Sequence, residues 1–203
     1  MDRKTLLVGL MAFLLIGSVA AGIALFSKPE SFRGTIYAEP YPAAPEIELA
    51  RAAGTDFRLS EMHGKVVALF FGYTSCPDIC PTTMAEFKQA LEGLGPKADQ
   101  VQVLFVTVDP QRDTPERLQE YVDHFNPDFI GLSGAEPELA KVWNSYGVFR
   151  QVVDGTSAAG YLVDHTARVT LIDQQGNLRL SFPFDTPVED VVHDLNLLLE
   201  ESE

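Results

Sequence analysis

Two runs of residues constrain this chain more than any other feature: Val66 to Tyr73 (Val-Val-Ala-Leu-Phe-Phe-Gly-Tyr) and Val101 to Val108 (Val-Gln-Val-Leu-Phe-Val-Thr-Val). A strand with one face in water alternates apolar and polar residues, whereas a nearly unbroken apolar run belongs to a strand buried on both faces. The chain therefore needs a central sheet with helices covering it. Between the runs, Met84, Phe87, Leu91 and Leu94 recur at spacings of three and four, the inward stripe of a helix. Pro81 suits its first position and Gly95-Pro96 stops it.

The alternation continues along the chain. Phe57 to Leu59 reads as a short strand before a turn at Met62-His63-Gly64-Lys65. Thr114-Pro115 opens a helix whose inner face is Leu118, Tyr121, Val122 and Phe125, followed by a strand at Phe129 to Leu132 and a helix from Pro137 to Tyr146. Val169 to Asp173 and Leu178 to Phe182, joined by Gln174-Gln175-Gly176-Asn177, form an antiparallel hairpin. Asp185 or Thr186 caps a last helix that turns Val188, Val191, Val192, Leu195, Leu198 and Leu199 inward. The order β-β-α-β-α-β-α-β-β-α predicts an α/β fold: a thioredoxin-like mixed sheet flanked by helices, with an inserted hairpin and an N-terminal membrane anchor.

The anchor is expected in residues 1–28. From Leu6 to Phe26 no residue is charged, and a helix of that length spans about 30 Å, the thickness of a bilayer's hydrocarbon core. A cleaved signal peptide would end at a small-x-small site such as Ser18-Val19-Ala20, but the apolar run continues past it. Arg3 and Lys4 precede the span, and Lys28 and Arg33 follow it, a slight bias toward a cytoplasmic N-terminus. Residues 29–55, with Pro29, Pro40, Pro42 and Pro45, are expected as a spacer, and 56–203 as a single domain. Fifteen Lys and Arg against 29 Asp and Glu give a net charge of −14. Residues 1–28 hold three of those basic residues and one acidic, so the remainder is more acidic still. That charge argues against nucleic acid or an anionic lipid surface as partner.

Both cysteines, Cys76 and Cys80, lie in Thr74-Ser75-Cys76-Pro77-Asp78-Ile79-Cys80-Pro81, directly behind the first apolar run. Amides at a helix N-terminus favour thiolate over thiol, so the segment suits metal capture or redox chemistry. Four residues apart across a turn, the two Cα atoms can lie about 5–6 Å apart, which permits a disulfide or a shared ion. A structural disulfide is the competing reading, although so short a loop constrains the unfolded chain little. Among the histidines, His63, His124 and His193 sit at positions expected to be solvated. His165 differs: it follows Tyr161-Leu162-Val163-Asp164 between strand-like runs, where a loop beside the sheet can aim an imidazole at the thiol turn.

Three segments in this order, Phe71 to Pro81, Val106 to Pro115 (Val-Thr-Val-Asp-Pro-Gln-Arg-Asp-Thr-Pro) and Val163 to Thr166, closely resemble the Sco (SenC) copper-binding proteins of cytochrome c oxidase assembly. The resemblance covers about Phe57 to Leu199; a lone Cys-x-x-x-Cys would be weak, but three motifs in order are specific. It implies a copper site with metal ligands Cys76, Cys80 and His165. The stretch Phe149 to Gly160 matches no motif of the family.

Two thiolates and one imidazole suit Cu(I) in a three-coordinate site, Cu(II) would call for an added oxygen or nitrogen, and zinc for a fourth ligand. Asp164 is expected to orient the His165 ring, and Asp78 to oppose thiolate formation by its charge. Asp109, Arg112 and Asp113 read as a capped turn with an ion pair. The resemblance implies a metallochaperone, not itself an enzyme, that receives copper from an upstream donor and delivers it to the binuclear copper centre in the copper-accepting subunit of cytochrome c oxidase. The alternative is a thiol-disulfide reductase that keeps the acceptor cysteines reduced, which uses the Cys76 and Cys80 redox pair without His165. A thioredoxin-like reductase is the expected partner that restores the dithiol. The expected location is the bacterial inner membrane, single-pass, with the domain in the periplasm.

Overall fold

The computed structural model describes residues 31–157 and 160–201, together with Asp2, Met11, Phe13 and Leu15. The chain divides into two compact units, Met1–Ser31 and Phe32–Glu203. In the first, Met11, Phe13 and Leu15 are helical. The rest of the expected anchor at 1–28 lies outside the described residues, among which no helix is long and apolar enough to cross a membrane.

The second unit is built on an eight-stranded sheet in the order β1-β10-β9-β4-β5-β6-β2-β3. Its strands are β1 (Thr35–Ile36), β2 (Glu48–Arg51), β3 (Thr55–Arg58), β4 (Val66–Gly72), β5 (Val101–Thr107), β6 (Ile130–Ser133), β9 (Arg168–Ile172) and β10 (Leu178–Pro183). Every residue of β4 and β5 is buried, as their unbroken apolar runs require. They pair in parallel from Val66 against Val101 to Gly72 against Thr107, so their C-terminal ends lie side by side. β9 runs antiparallel to β4, with Val169 opposite Phe70, and so starts at that same end. β7 (Arg150–Ser157) and β8 (Gly160–His165) form a separate two-stranded ribbon.

Four helices follow the strands: α1 (Ile79–Leu94), α2 (Pro115–Asp123), α3 (Glu136–Ser145) and α4 (Val188–Glu200). Successive strand residues face opposite sides, and the aromatic contacts sort the helices accordingly. Phe70 packs on Phe105 at 5.7 Å, and Phe105 on Tyr121 of α2 at 5.4 Å. Phe87 of α1 and Val191 of α4 line the same crevice as Phe70. Phe71 points the other way, onto Tyr146 just past α3 at 5.7 Å. The thioredoxin-like mixed sheet with helices on both faces is thus observed.

Several local expectations are corrected. Much of the stretch expected as spacer is folded: Ile47 and Leu49 are buried, and β2 pairs with both β3 and β6. Leu178 N donates to the Pro42 carbonyl at 2.8 Å, and Ala44 N to the Gly176 carbonyl at 2.8 Å, so the segment around Pro42 lies against the domain. Pro81 is the third residue of α1, not the first, still within the turn whose amides have no partner inside the helix. Neither Asp185 nor Thr186 caps α4; Pro187 occupies that position, Thr186 bonds the Pro183 carbonyl, and Asp185 takes a positive φ of 66°. The stretch after Phe149, which showed no motif, forms most of the β7–β8 ribbon.

Candidate metal centre

The thiol loop leaves β4 at Gly72 and enters α1 at Ile79. Tyr73 O accepts from Cys76 N at 3.2 Å, a tight turn that points the loop back toward the helix. Cys76 Sγ then accepts from the Cys80 amide at 3.4 Å. This is a free amide of the first helical turn turned onto a sulfur. Cys80 is fully buried and Cys76 half-buried, and both are free thiols. The close approach of Cys80 to β4 depends on Gly72, where a Cβ would meet Cys80 Sγ at 2.9 Å and the Phe70 and Phe105 rings at 2.8 Å.

His165 is the last residue of β8. Its Nε2 lies 3.8 Å from Cys80 Sγ and its Nδ1 3.1 Å from the Thr166 carbonyl. A carbonyl only accepts, so the contact assigns the proton to Nδ1 and leaves the Nε2 lone pair toward the sulfur. For bonds of about 2.3 Å to sulfur and 2.0 Å to nitrogen, two donors on a trigonal ion sit about 3.7 Å apart, so the Cys80–His165 pair already has ligating separation. Among the described residues, no three or more His, Cys, Asp and Glu side chains form a ready-made cage for a metal ion. The two sulfurs and the imidazole are neighbours in an arrangement that is not closed.

The two thiols are not equivalent. Cys76 is pulled down to about 4, chiefly by the hydrogen bond from Cys80, against burial, with His165 and the Asp78 and Cys80 amides adding to the pull. Cys80 is pushed up by the same hydrogen bond and by its burial. The pair therefore holds one proton on the buried sulfur and presents the outer one as thiolate. Asp78 contributes here through its amide, which favours the thiolate.

Hydrogen bonds join the three sequence motifs into one body. Asp113 accepts from Thr74 Oγ1 at 2.6 Å, Thr74 N at 3.1 Å and Thr107 Oγ1 at 2.8 Å, tying the thiol loop to the end of β5. Burial still pushes the Asp113 carboxyl up despite those donors. Asp109, fully buried, accepts from Arg112 Nε and from the Tyr161 hydroxyl at 2.8 Å. Arg112 also donates to the Tyr161 carbonyl at 3.0 Å and stacks 3.8 Å over its ring. Arg150 Nε bonds the Val108 carbonyl. The ribbon that ends in His165 is thus fastened to the β5–α2 loop from both strands, and Asp109 with Arg112 does more than cap a turn.

Of the residues expected at the site, Cys76, Cys80 and His165 come together. Asp164 does not orient the ring: it is exposed, opposite Gln151 in the ribbon, and the Thr166 carbonyl takes the place expected for it. Tyr73 and Phe70 were missed as the aromatic walls of the imidazole, at ring separations of 5.8 and 6.3 Å. Their place at the C-terminal end of the apolar run, next to the thiol loop, was the available signal, but burial alone accounted for it.

The sequence profile of the SCO1/SenC family matches residues 37–200. A SCO2-like protein of Rickettsia felis is 33% identical over 192 residues, which covers 94% of this chain and 92% of that protein. Among solved structures, apo Sco1 from Thermus thermophilus is 41% identical with a TM-score of 0.75, covering 85% of this chain and 100% of that one. Bradyrhizobium japonicum ScoI with copper bound is 36% identical with a TM-score of 0.70, covering 77% and 99%.

Proposed function

The chain belongs to the SCO1/SenC family, and on that premise we propose that it is a copper metallochaperone. It binds one copper ion through the Cys76 and Cys80 thiolates and the His165 imidazole, and hands it to the binuclear copper centre of cytochrome c oxidase during assembly. The observation that carries the reading is the 3.8 Å approach of His165 Nε2 to the buried Cys80 sulfur, with Nδ1 directed at a carbonyl. An imidazole lone pair held at that separation from a thiol adds a third donor for a soft ion, which dithiol exchange does not require.

The donor set fits copper as cargo. Thiolate sulfur is soft and matches Cu(I), and three donors satisfy it, while Cu(II) would recruit a further oxygen or nitrogen. Cys76 meets the ion already deprotonated, and Cys80 gives up its proton on capture. The half-buried position of Cys76 leaves one ligand within reach of an acceptor's sulfur, so the ion can be passed on by stepwise ligand exchange.

A second reading has its own support. An outer thiolate beside a buried protonated thiol is also the pairing of an attacking and a resolving cysteine, so a thiol-disulfide reductase acting on the acceptor cysteines is retained as the alternative. Further proposals are an upstream copper donor, a thioredoxin-like reductase that restores the dithiol, and anchorage of residues 1–28 in the bacterial inner membrane with the domain in the periplasm, supported by the uncharged run from Leu6 to Phe26. The separating experiment is a strain carrying only the His165→Ala chain. Copper delivery predicts loss of mature oxidase with the dithiol still reducible and reoxidisable; normal oxidase levels would support the reductase.

A further inference from the structure

Large apolar side chains left in solvent are few on the Phe32–Glu203 unit. Among its described residues they are Ile36, Phe149, Val152 and Phe184. The last three gather at the end of the sheet that carries the thiol loop. Phe149 N donates to Thr166 Oγ1 at 3.0 Å and Thr166 N to the Phe149 carbonyl at 3.1 Å. Thr166 in turn supplies the carbonyl that faces His165 Nδ1. Ala167, the next residue, lines a small crevice with Phe184 and with Thr83 of α1. Val152 lies opposite Val163 in the ribbon. A band of three exposed apolar residues therefore flanks the 163–167 segment that carries the imidazole, with Phe149 58% exposed, Val152 45% and Phe184 38%. Single exposed apolar residues are ordinary, but several around one segment that carries a reactive group mark an interaction surface.

The charge around the band has one predominant sign. Asp78 in the thiol loop, Asp154 and Asp164 in the ribbon and Asp185 after β10 are all exposed. Nearby cations are engaged within the fold: Arg150 with Glu136 and the Val108 carbonyl, Arg168 with Ser181 and Thr35. Arg117 is exposed on the α2 side of the loop, bonded to Ser75. An acidic rim disfavours an anionic bilayer and favours a basic protein face.

We propose that this band is the docking face for the copper acceptor, a folded protein domain that presents an apolar centre ringed by Lys and Arg around its own cysteines. The inference rests on the copper-delivery reading. In the docked pair the acceptor's thiolates replace Cys76, His165 and Cys80 on the ion in turn. Copper keeps its oxidation state, one proton released by the acceptor thiols returns to Cys80, which gave up its own on loading, and any further proton leaves to solvent. Phe149, Val152 and Phe184 exclude water from that exchange and hold the two sulfur sets within bonding reach.

The test uses the full-length chain in detergent, loaded with Cu(I), and the reduced soluble copper-binding domain of a cytochrome c oxidase subunit as acceptor. Phe149→Ser with Phe184→Ser keeps one copper per chain and transfers it about tenfold more slowly or worse, as loss of central apolar anchors does elsewhere. Wild-type transfer slows with added salt, and Asp154→Asn with Asp185→Asn flattens that dependence. Equal transfer rates in wild type and the serine double variant would overturn the docking face, as would a wild-type rate indifferent to salt. If wild type transfers no copper at all, the delivery reading itself fails and the docking face with it. Phe149→Trp in nanodiscs decides against lipid: its emission shifts to the blue when acceptor is added, whereas a shift already present in anionic nanodiscs without acceptor would assign the band to the membrane.

Discussion

Cys76 and Cys80 differ because the fold gives them different neighbours, although the sequence presents them as a symmetric pair around Pro77-Asp78-Ile79. Cys80 lies under Gly72 and between strand aromatics, while Cys76 faces outward with two amides and a thiol donating to it. Reaction with iodoacetamide follows the thiolate, so the reduced apo chain is expected to react at Cys76 with a rate that is flat from neutrality to about pH 5 and falls through about 4. Mass spectrometry on the alkylated chain locates the label. A rate that instead rises through the range of an ordinary cysteine would remove the proposed asymmetry. The two sulfurs were legible because cysteine is rare here and sits at a strand–helix junction. The partner of His165 Nδ1 was not, because a main-chain carbonyl leaves no mark in the sequence, and the adjacent Asp164 was the only side chain that spacing offered.

At the scale of elements, β4, β5 and the helix between them were legible because burial on both faces leaves an unbroken apolar run, and one-sided burial leaves a period near 3.6. β2 and the β7–β8 ribbon were not. β2 is a four-residue strand with one buried side chain, and the ribbon gains its order from Arg112 and Arg150, whose targets are carbonyls distant in sequence. Tyr161→Phe removes one hydroxyl from buried Asp109 and is expected to cost about 1–2 kcal/mol in urea unfolding. It also moves copper affinity, measured against a competing chelator, part of the way toward that of His165→Ala, because the ribbon holding the imidazole is loosened. Unchanged affinity would mean that β8 is positioned without this tie.

The N-terminal segment is a second case where a short-range reading fell short. Asp194, fully buried on α4, accepts from Arg33 N at 2.9 Å and Gly34 N at 2.8 Å, and Arg33 also pairs with Asp190. Asp194→Ala is expected to cost about 2–3 kcal/mol, since two amides lose a charged acceptor. Amide hydrogen exchange at Arg33 and Gly34 reports it directly: acceleration confined to these residues and β1 fits a local strap, and no acceleration contradicts it.

Across the whole molecule, three motifs scattered over some ninety residues converge because parallel β4 and β5 end together and antiparallel β9 starts beside them. In the sequence that convergence was implied by the family resemblance of the three motifs, not by the order of elements, and the donor distances needed the folded chain. Oxidation of Cys76 and Cys80 to a disulfide consumes both thiolates, so at the proposed site copper uptake and dithiol oxidation exclude one another. The decisive measurement is therefore copper content and absorption of the reduced full-length chain after loading with Cu(I) or Cu(II), with Cys76→Ala, Cys80→Ala and His165→Ala alongside. The proposed site predicts one copper per wild-type chain, a sulfur-to-copper charge-transfer band with Cu(II), and loss of tight binding in all three variants, largest for the cysteines. Tight Cu(I) binding retained by Cys80→Ala, or affinity of His165→Ala equal to wild type, would contradict it.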